Sequence, residues 1–84
     1  MPDPDWKLIH FGSMYRRWVA ETNPLPDERH EVRFWARRVT RDGPPGGIVI
    51  TPSGDDLAHW VGESTIVVFA RIDYEEVVAV LEIY

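Results

Sequence analysis

The stretch "TIVVFARIDYEEVVAVLEIY", residues 65–84, decides the fold, because it predicts two strands joined by an acidic turn. Asp73 pairs with Glu76 across the two-residue loop Tyr74-Glu75. Side chains alternate along strands, so one face of this hairpin is wholly apolar and we expect it to pack against the helices. That face carries Ile66, Val68, Ala70, Ile72, Val77, Ala79, Leu81 and Ile83. The other face is mixed and carries Thr65, Val67, Phe69, Arg71, Val78, Val80, Glu82 and Tyr84.

Two helices are predicted upstream of this hairpin. The segment from Pro26 to Arg41 has proline and acids in its first turn and an apolar stripe at i, i+3, i+4 and i+7. The stripe consists of Val32, Trp35, Ala36 and Val39. A shorter helix follows Ser13 as its N-cap and ends at "NPLP". We expect Met14, Trp18, Trp35 and Val39 to meet the apolar face of the hairpin.

The remaining segments favour strands. "WKLIHFG", residues 6–12, is apolar on both faces, which predicts a strand within the sheet between two others. "GIVIT" (47–51), the turn "PSGDD" (52–56) and "LAHWV" (57–61) form one interrupted strand or two. The order predicts a single α+β domain over residues 1–84. Its N-terminal strand and two-helix hairpin precede a three- to four-stranded antiparallel sheet with the helices on one face.

Composition restricts the classes of protein. Eighty-four residues suffice for one domain, and 44% apolar residues with four tryptophans argue against disorder. The absence of cysteine excludes disulfides, thiolate metal sites and a cysteine nucleophile. No apolar run reaches the roughly 20 residues of a membrane span, and "MPDPDW" does not resemble a signal peptide. We therefore expect a soluble, cytoplasmic protein without membrane contact.

Charge is distributed unevenly along the chain, whose net charge is −5. Residues 1–42 hold eight of the nine Lys/Arg residues against seven acids, whereas residues 43–84 hold Arg71 against seven acids. Nucleic-acid backbones require clustered positive charge. The sequence therefore disfavours contact between nucleic acid and residues 43–84.

Four arginines recur at intervals of four on the second predicted helix: Arg29, Arg33, Arg37 and Arg41. They could form a solvated helix face whose aliphatic stems shield the edge of the core. Alternatively, they could bind phosphates or an acidic segment of a partner. Both interpretations remain open at the level of sequence.

His59 is a candidate acid or base, since Asp55 and Asp56 precede it closely and would raise its pKa. A histidine beside tryptophan is also compatible with a packed or solvated strand residue. The three histidines show no metal-binding spacing, so neither a metal nor another cofactor is predicted.

Two stretches resemble the RelE/ParE superfamily of small bacterial toxins from toxin–antitoxin modules. "LAHWVGESTIVVFARIDYEEVVAVLEIY" is similar to the family's "VG-acid" turn, apolar strand, acidic hairpin tip and final strand. "PDERHEVRFWARRVTRDGPP" is similar to its second helix and Gly-Pro exit. The resemblance implies a toxin that binds a protein or ribosomal target and is neutralised by a cognate antitoxin.

The resemblance also implies ribosome-dependent mRNA cleavage in some members, and this chain departs from them. Basic residues expected after the "VG-acid" turn and in "GIVITPSG" are missing, which leaves Arg71 and Tyr84 as the matching residue types. Whether the protein is an enzyme therefore stays open. We expect an antitoxin to place acidic residues on Arg29, Arg33, Arg37 and Arg41 and apolar residues on Val67 and Phe69. The alternative is a non-catalytic interaction module, as a monomer or a homodimer.

Overall fold

One strand, two helices and four further strands follow one another in the computed structural model, which describes residues 6–49 and 56–84. The strands are β1 Lys7–Ile9, β2 Ile48–Val49, β3 Asp56–Val61, β4 Thr65–Ile72 and β5 Val77–Ile83; the helices are α1 Phe11–Thr22 and α2 Pro26–Asp42. A 3-10 turn, Asp73–Glu75, joins β4 to β5. The predicted α+β layout is thus confirmed. In the part of the chain described, no helix is long and apolar enough to cross a membrane.

The sheet has the strand order β1-β5-β4-β3-β2. Strands β2 to β5 pair antiparallel, whereas β1 lies parallel to β5 at one edge. The predicted position of residues 6–12 between two strands is therefore wrong. A backbone bond from Trp6 N to Thr40 O, 3.1 Å long, ties the chain before β1 to α2.

Residues 47–61 include two strands rather than one, since Ile48 pairs with Ala58 across an antiparallel ladder. Residues 50–55 lie outside the described residues; they comprise the end of the predicted strand 47–51 and most of the predicted turn 52–56.

The helices begin and end for local reasons. In α2, Glu28 accepts a 2.9 Å bond from the backbone N–H of Leu25, and all four residues of the predicted apolar stripe are buried. Helix α1 begins at Phe11, so the prediction of Ser13 as its N-cap is wrong. The cap is His10, at φ 64°, and the Ser13 hydroxyl donates to its carbonyl at 3.1 Å.

The helices cover the hairpin face that the sequence predicts to be mixed in polarity. Val67, Phe69, Val78 and Val80 are almost fully buried and cluster with Trp18, Val32, Trp35 and Val39. Leu81 is 39% exposed, so the expectation that its face packs on the helices is wrong. The predicted roles of Trp18, Trp35 and Val39 in the core are confirmed, and Met14 packs against it.

A β-bulge changes the predicted alternation at the end of β5. Phe69 pairs with Val80 as the alternation predicts, but Val68 pairs with Glu82, which leaves Leu81 as an extra residue in β5. Beyond the bulge, Ile83 pairs with the buried Val67 and is itself 5% exposed. The bulge therefore turns Glu82 away from the helices and places Ile83 beneath them.

We expect Phe69→Ala to destabilise the protein by about 3–5 kcal/mol, because Phe69 is fully buried and contacts Trp35 at a ring-centroid distance of 5.8 Å. Leu81→Ala is the matched control and should cost about 1 kcal/mol or less, since the side chain is already partly solvated. Urea denaturation followed by tryptophan fluorescence measures both. Equal losses would contradict the assignment of the two faces.

Gly43 ends α2 at φ 88°, and a Cβ atom there would lie 2.9 Å from Nε1 of Trp6. Gly43→Ala should therefore cost about 1–3 kcal/mol through backbone strain and this close contact. Gly46→Ala is the control, because nothing lies within 4 Å of its added Cβ. Denaturation midpoints that fall equally in the two variants would refute the explanation.

Candidate functional site

The three predicted catalytic residues do not form one constellation. Arg71 lies at the hairpin-tip end of β4, where its Nε donates to Asp73 at 2.6 Å. Tyr84 lies at the opposite end, where its backbone exchanges hydrogen bonds with Ile66. His59 pairs with the buried Val67 and so belongs to the helix-facing side of β3. This separation gives no support to a joint catalytic role.

His59 is held beneath α2. The indole Nε1–H of Trp35 donates to its Nδ1 at 3.1 Å, which leaves the proton of the neutral imidazole on Nε2. Burial, and secondly the charge of Arg38, lower the pKa of His59 from its ordinary value of 6.5. The expected rise is therefore wrong: Asp56 belongs to the other face of β3 by strand alternation, and Asp55 lies outside the described residues.

A cleft of about 420 Å³ opens between α2 and β3, beside this imidazole. We call it the α2–β3 cleft; its walls include Glu31, Phe34, Trp35, Arg38, Pro44 and His59. Phe34 is 46% exposed, so an aromatic surface faces solvent at the cleft. The cleft thus combines apolar walls with one cation, Arg38, two carboxylates, Glu31 and Asp42, and one ring N–H donor.

The arginines of α2 divide into two groups. Arg29 donates to the Pro24 carbonyl and to Asn23, and Arg41 donates twice to Asp42 at 3.0 Å. Arg33 and Arg37 are exposed and form no ion pair with a described residue. Two of the four arginines predicted to bind a partner, Arg29 and Arg41, therefore already form hydrogen bonds within the domain.

The predicted partner-binding residues Val67 and Phe69 are both 0% exposed. They lie in the core beneath the helices. A partner cannot contact them in the folded domain, so this assignment is wrong.

The sheet surface that faces away from the helices is largely apolar, and we call it the open face. By strand pairing it comprises Lys7, Ile9, Ile48, Asp56, Ala58, Trp60, Ile66, Val68, Ala70, Ile72, Val77, Ala79 and Glu82. None of these residues belongs to the core cluster beneath the helices. Trp60 is 53% and Ile48 is 64% exposed, whereas Val77 and Ala79 of β5 are only 8% exposed. A large apolar sheet surface therefore lacks a covering helix among the described elements.

Carboxylates flank the open face at both ends. Glu75 and Glu76 lie at the β4–β5 turn, and Glu63 lies at the β3–β4 turn, with Glu82 on the nearby end of β5. Within the described residues none of these four forms an ion pair. The open face thus combines an apolar centre with an acidic periphery.

A smaller groove of about 240 Å³ lies beside Tyr84 and contains Ser64 and Glu28. The Ser64 hydroxyl donates to Glu28 at 2.6 Å, and this bond, followed by that from the Leu25 N–H, lowers the pKa of Glu28. No histidine lines the groove to activate the serine. The bond links the β3–β4 turn to the start of α2.

Comparisons with protein families, curated proteins and solved structures find no match to this chain. Among residues 6–49 and 56–84, no three His, Cys, Asp or Glu side chains are grouped to hold a metal ion. The interpretation of the site therefore rests on its own geometry.

The sequence indicates His59 as a candidate but does not predict that Phe34 and Arg38 line a cleft with it. Phe34 and Arg38 are four residues apart on one side of α2, which is a detectable signal. Trp60 is two residues from Ala58 on β3, so alternation alone places both on one face. Alternation does not specify which face of the sheet points away from the helices, because both faces of the hairpin are largely apolar.

We expect NMR titration to give His59 a pKa below 6.5 in the folded protein. Since the unfolded chain then binds the proton more readily, this residue's contribution to stability is present above pH 6.5 and is lost as the pH falls through the lowered pKa. Arg38→Gln should raise the pKa by removing a neighbouring positive charge. Arg33→Gln is the control on the same helix, since Arg33 does not line the cleft. An unchanged pKa in Arg38→Gln would contradict the electrostatic explanation.

Proposed function

We propose that this protein is a protein-binding module whose binding surface is the open face. The observation that carries the proposal is the five-stranded apolar surface that neither helix covers. Contiguous apolar patches with a polar rim are typical of protein interaction sites. Burial of Trp60 and its neighbours by a partner would remove this surface from water.

The charges around the open face specify the chemistry of the partner. Glu63 and Glu82 at one end and Glu75 and Glu76 at the other favour an incoming segment with apolar anchors flanked by lysine or arginine. A second copy of this chain would bring the same carboxylates together and would meet repulsion. We therefore propose a basic, amphipathic segment of another protein as the occupant.

A toxin role within a toxin–antitoxin module is the second candidate. The strand, the two helices and the antiparallel strands after them have the layout that the resemblance to RelE/ParE toxins implies, which supports this candidate. In that case the antitoxin would supply the segment that binds the open face. Of the four arginines expected to contact acidic residues of an antitoxin, only Arg33 and Arg37 have side chains that form no ion pair or hydrogen bond with a described residue, so such contacts would be limited to these two.

The proposal is tested by capture from the host cell with cross-linking and mass spectrometry, followed by calorimetry with a synthetic peptide of the cross-linked segment. The double variant Ile48→Ser/Trp60→Ser should weaken peptide binding by about 30-fold or more, as loss of an interface hot spot does. Leu25→Ser is the matched control, because Leu25 is 67% exposed between the two helices. Added salt should weaken binding of a basic peptide.

Three results would overturn the proposal. The first is a partner that cross-links to α2 and binds the double variant as tightly as the wild type. The second is a segment that carries acidic instead of basic flanks. The third is a stable homodimer, by light scattering, that the double variant dissociates.

We expect no robust ribosome-dependent mRNA cleavage. The open face carries one basic residue, Lys7, whereas phosphoryl chemistry needs several positioned positive charges. Arg71, Tyr84 and His59 are also separated along the sheet. Primer extension on mRNA with purified ribosomes measures this; strong cleavage that Arg71→Ala abolishes would refute the expectation.

A further inference from the structure

The α2–β3 cleft lies between α2 and the helix-facing side of β3, and Trp60 of the open face also contributes to its wall. Its volume of about 420 Å³ falls in the range of small-molecule sites. Phe34 and Pro44 provide apolar walls. The cleft is therefore large enough for a molecule with one aromatic ring.

The polar groups of the cleft are oriented by the fold. On the helix-facing side of β3, Leu57 and Val61 pack with the core, and His59 stands between them. The 3.1 Å bond from Trp35 occupies Nδ1 and fixes the ring, so Nε2–H remains as a donor in a residue that lines the cleft. A donor held by a second hydrogen bond needs little reorganisation to bind a ligand.

The charges of the cleft favour an anion beside His59. Arg38 and His59 both line the cleft, and the charge of Arg38 lowers the pKa of His59. Asp42 also lines the cleft, and its carboxylate is paired with Arg41 through two 3.0 Å hydrogen bonds. Glu31 lies against Gly62, at the β3–β4 turn, and so is separated along the helix from Arg38.

We propose that the α2–β3 cleft binds a small aromatic carboxylate. Its carboxylate would accept hydrogen bonds from Arg38 and from Nε2–H of His59, and its ring would pack against Phe34 and Pro44. Arginine binds carboxylates through paired, charge-assisted hydrogen bonds, whereas apolar walls select a planar body. The ligand class follows from these two requirements together.

The test is an NMR titration of the full-length protein with benzoate, with benzyl alcohol as the neutral probe of similar size. The indole N–H signal of Trp35 reports on the cleft, because this group bonds to His59. Benzoate should shift that signal saturably, and benzyl alcohol should bind at least about 10-fold more weakly, since it lacks the charge.

Variants assign the two parts of the site. Arg38→Gln should weaken benzoate at least about 10-fold and leave benzyl alcohol unchanged, whereas Phe34→Ser should weaken both probes. Arg33→Gln is the matched control and should change neither. Absence of a saturable benzoate shift, equal binding of the two probes, or unchanged benzoate affinity in Arg38→Gln would overturn the proposal. Arg38 does not belong to the open face, so a loss of benzoate binding in Arg38→Gln does not depend on the outcome of the protein-binding test.

Discussion

The bulge at Leu81 keeps the helix-facing side of the sheet apolar to the end of β5. Without it, the strand that buries Val78 and Val80 would direct the carboxylate of Glu82 toward the helices, at a large desolvation cost. The extra residue reverses the alternation at that point, so Ile83 completes the helix-facing surface. The uninterrupted pairing of β3 with β4 places His59 on this helix-facing side, beneath α2, and Trp60 on the open face.

The elements of the fold could be predicted because their signals are local. Pro26, the acids after it and the stripe that includes Trp35 and Val39 specify α2 within its own sequence. The pairing of Ile72 with Val77 follows from the position of the acidic turn. The orientation of the hairpin could not be predicted in this way, since both of its faces are largely apolar. Phe69 carries the largest side chain on the face that is buried, which is consistent with burial of the bulkier face.

The candidate sites were less predictable because they depend on contacts between distant segments. The expectation for His59 used its neighbours in sequence, Asp55 and Asp56, whereas its observed partners are Trp35 and Arg38 on α2. Strand alternation separates adjacent residues onto opposite faces, so closeness in sequence does not imply contact in a sheet. The open face likewise depends on contacts between distant segments, since it is composed of residues from five strands.

The central claim is that no described helix covers the open face, whereas α1 and α2 cover the opposite face of the sheet. Methyl NMR with a soluble paramagnetic agent tests it most directly, because signal loss reports the distance of each methyl group from solvent. The account predicts strong broadening for Ile48, Val68 and Leu81, and protection for Val67, Val78 and Val80. Protection of Val68 together with broadening of Val67 and Val80 would contradict it, because the helices would then cover the other face of the hairpin.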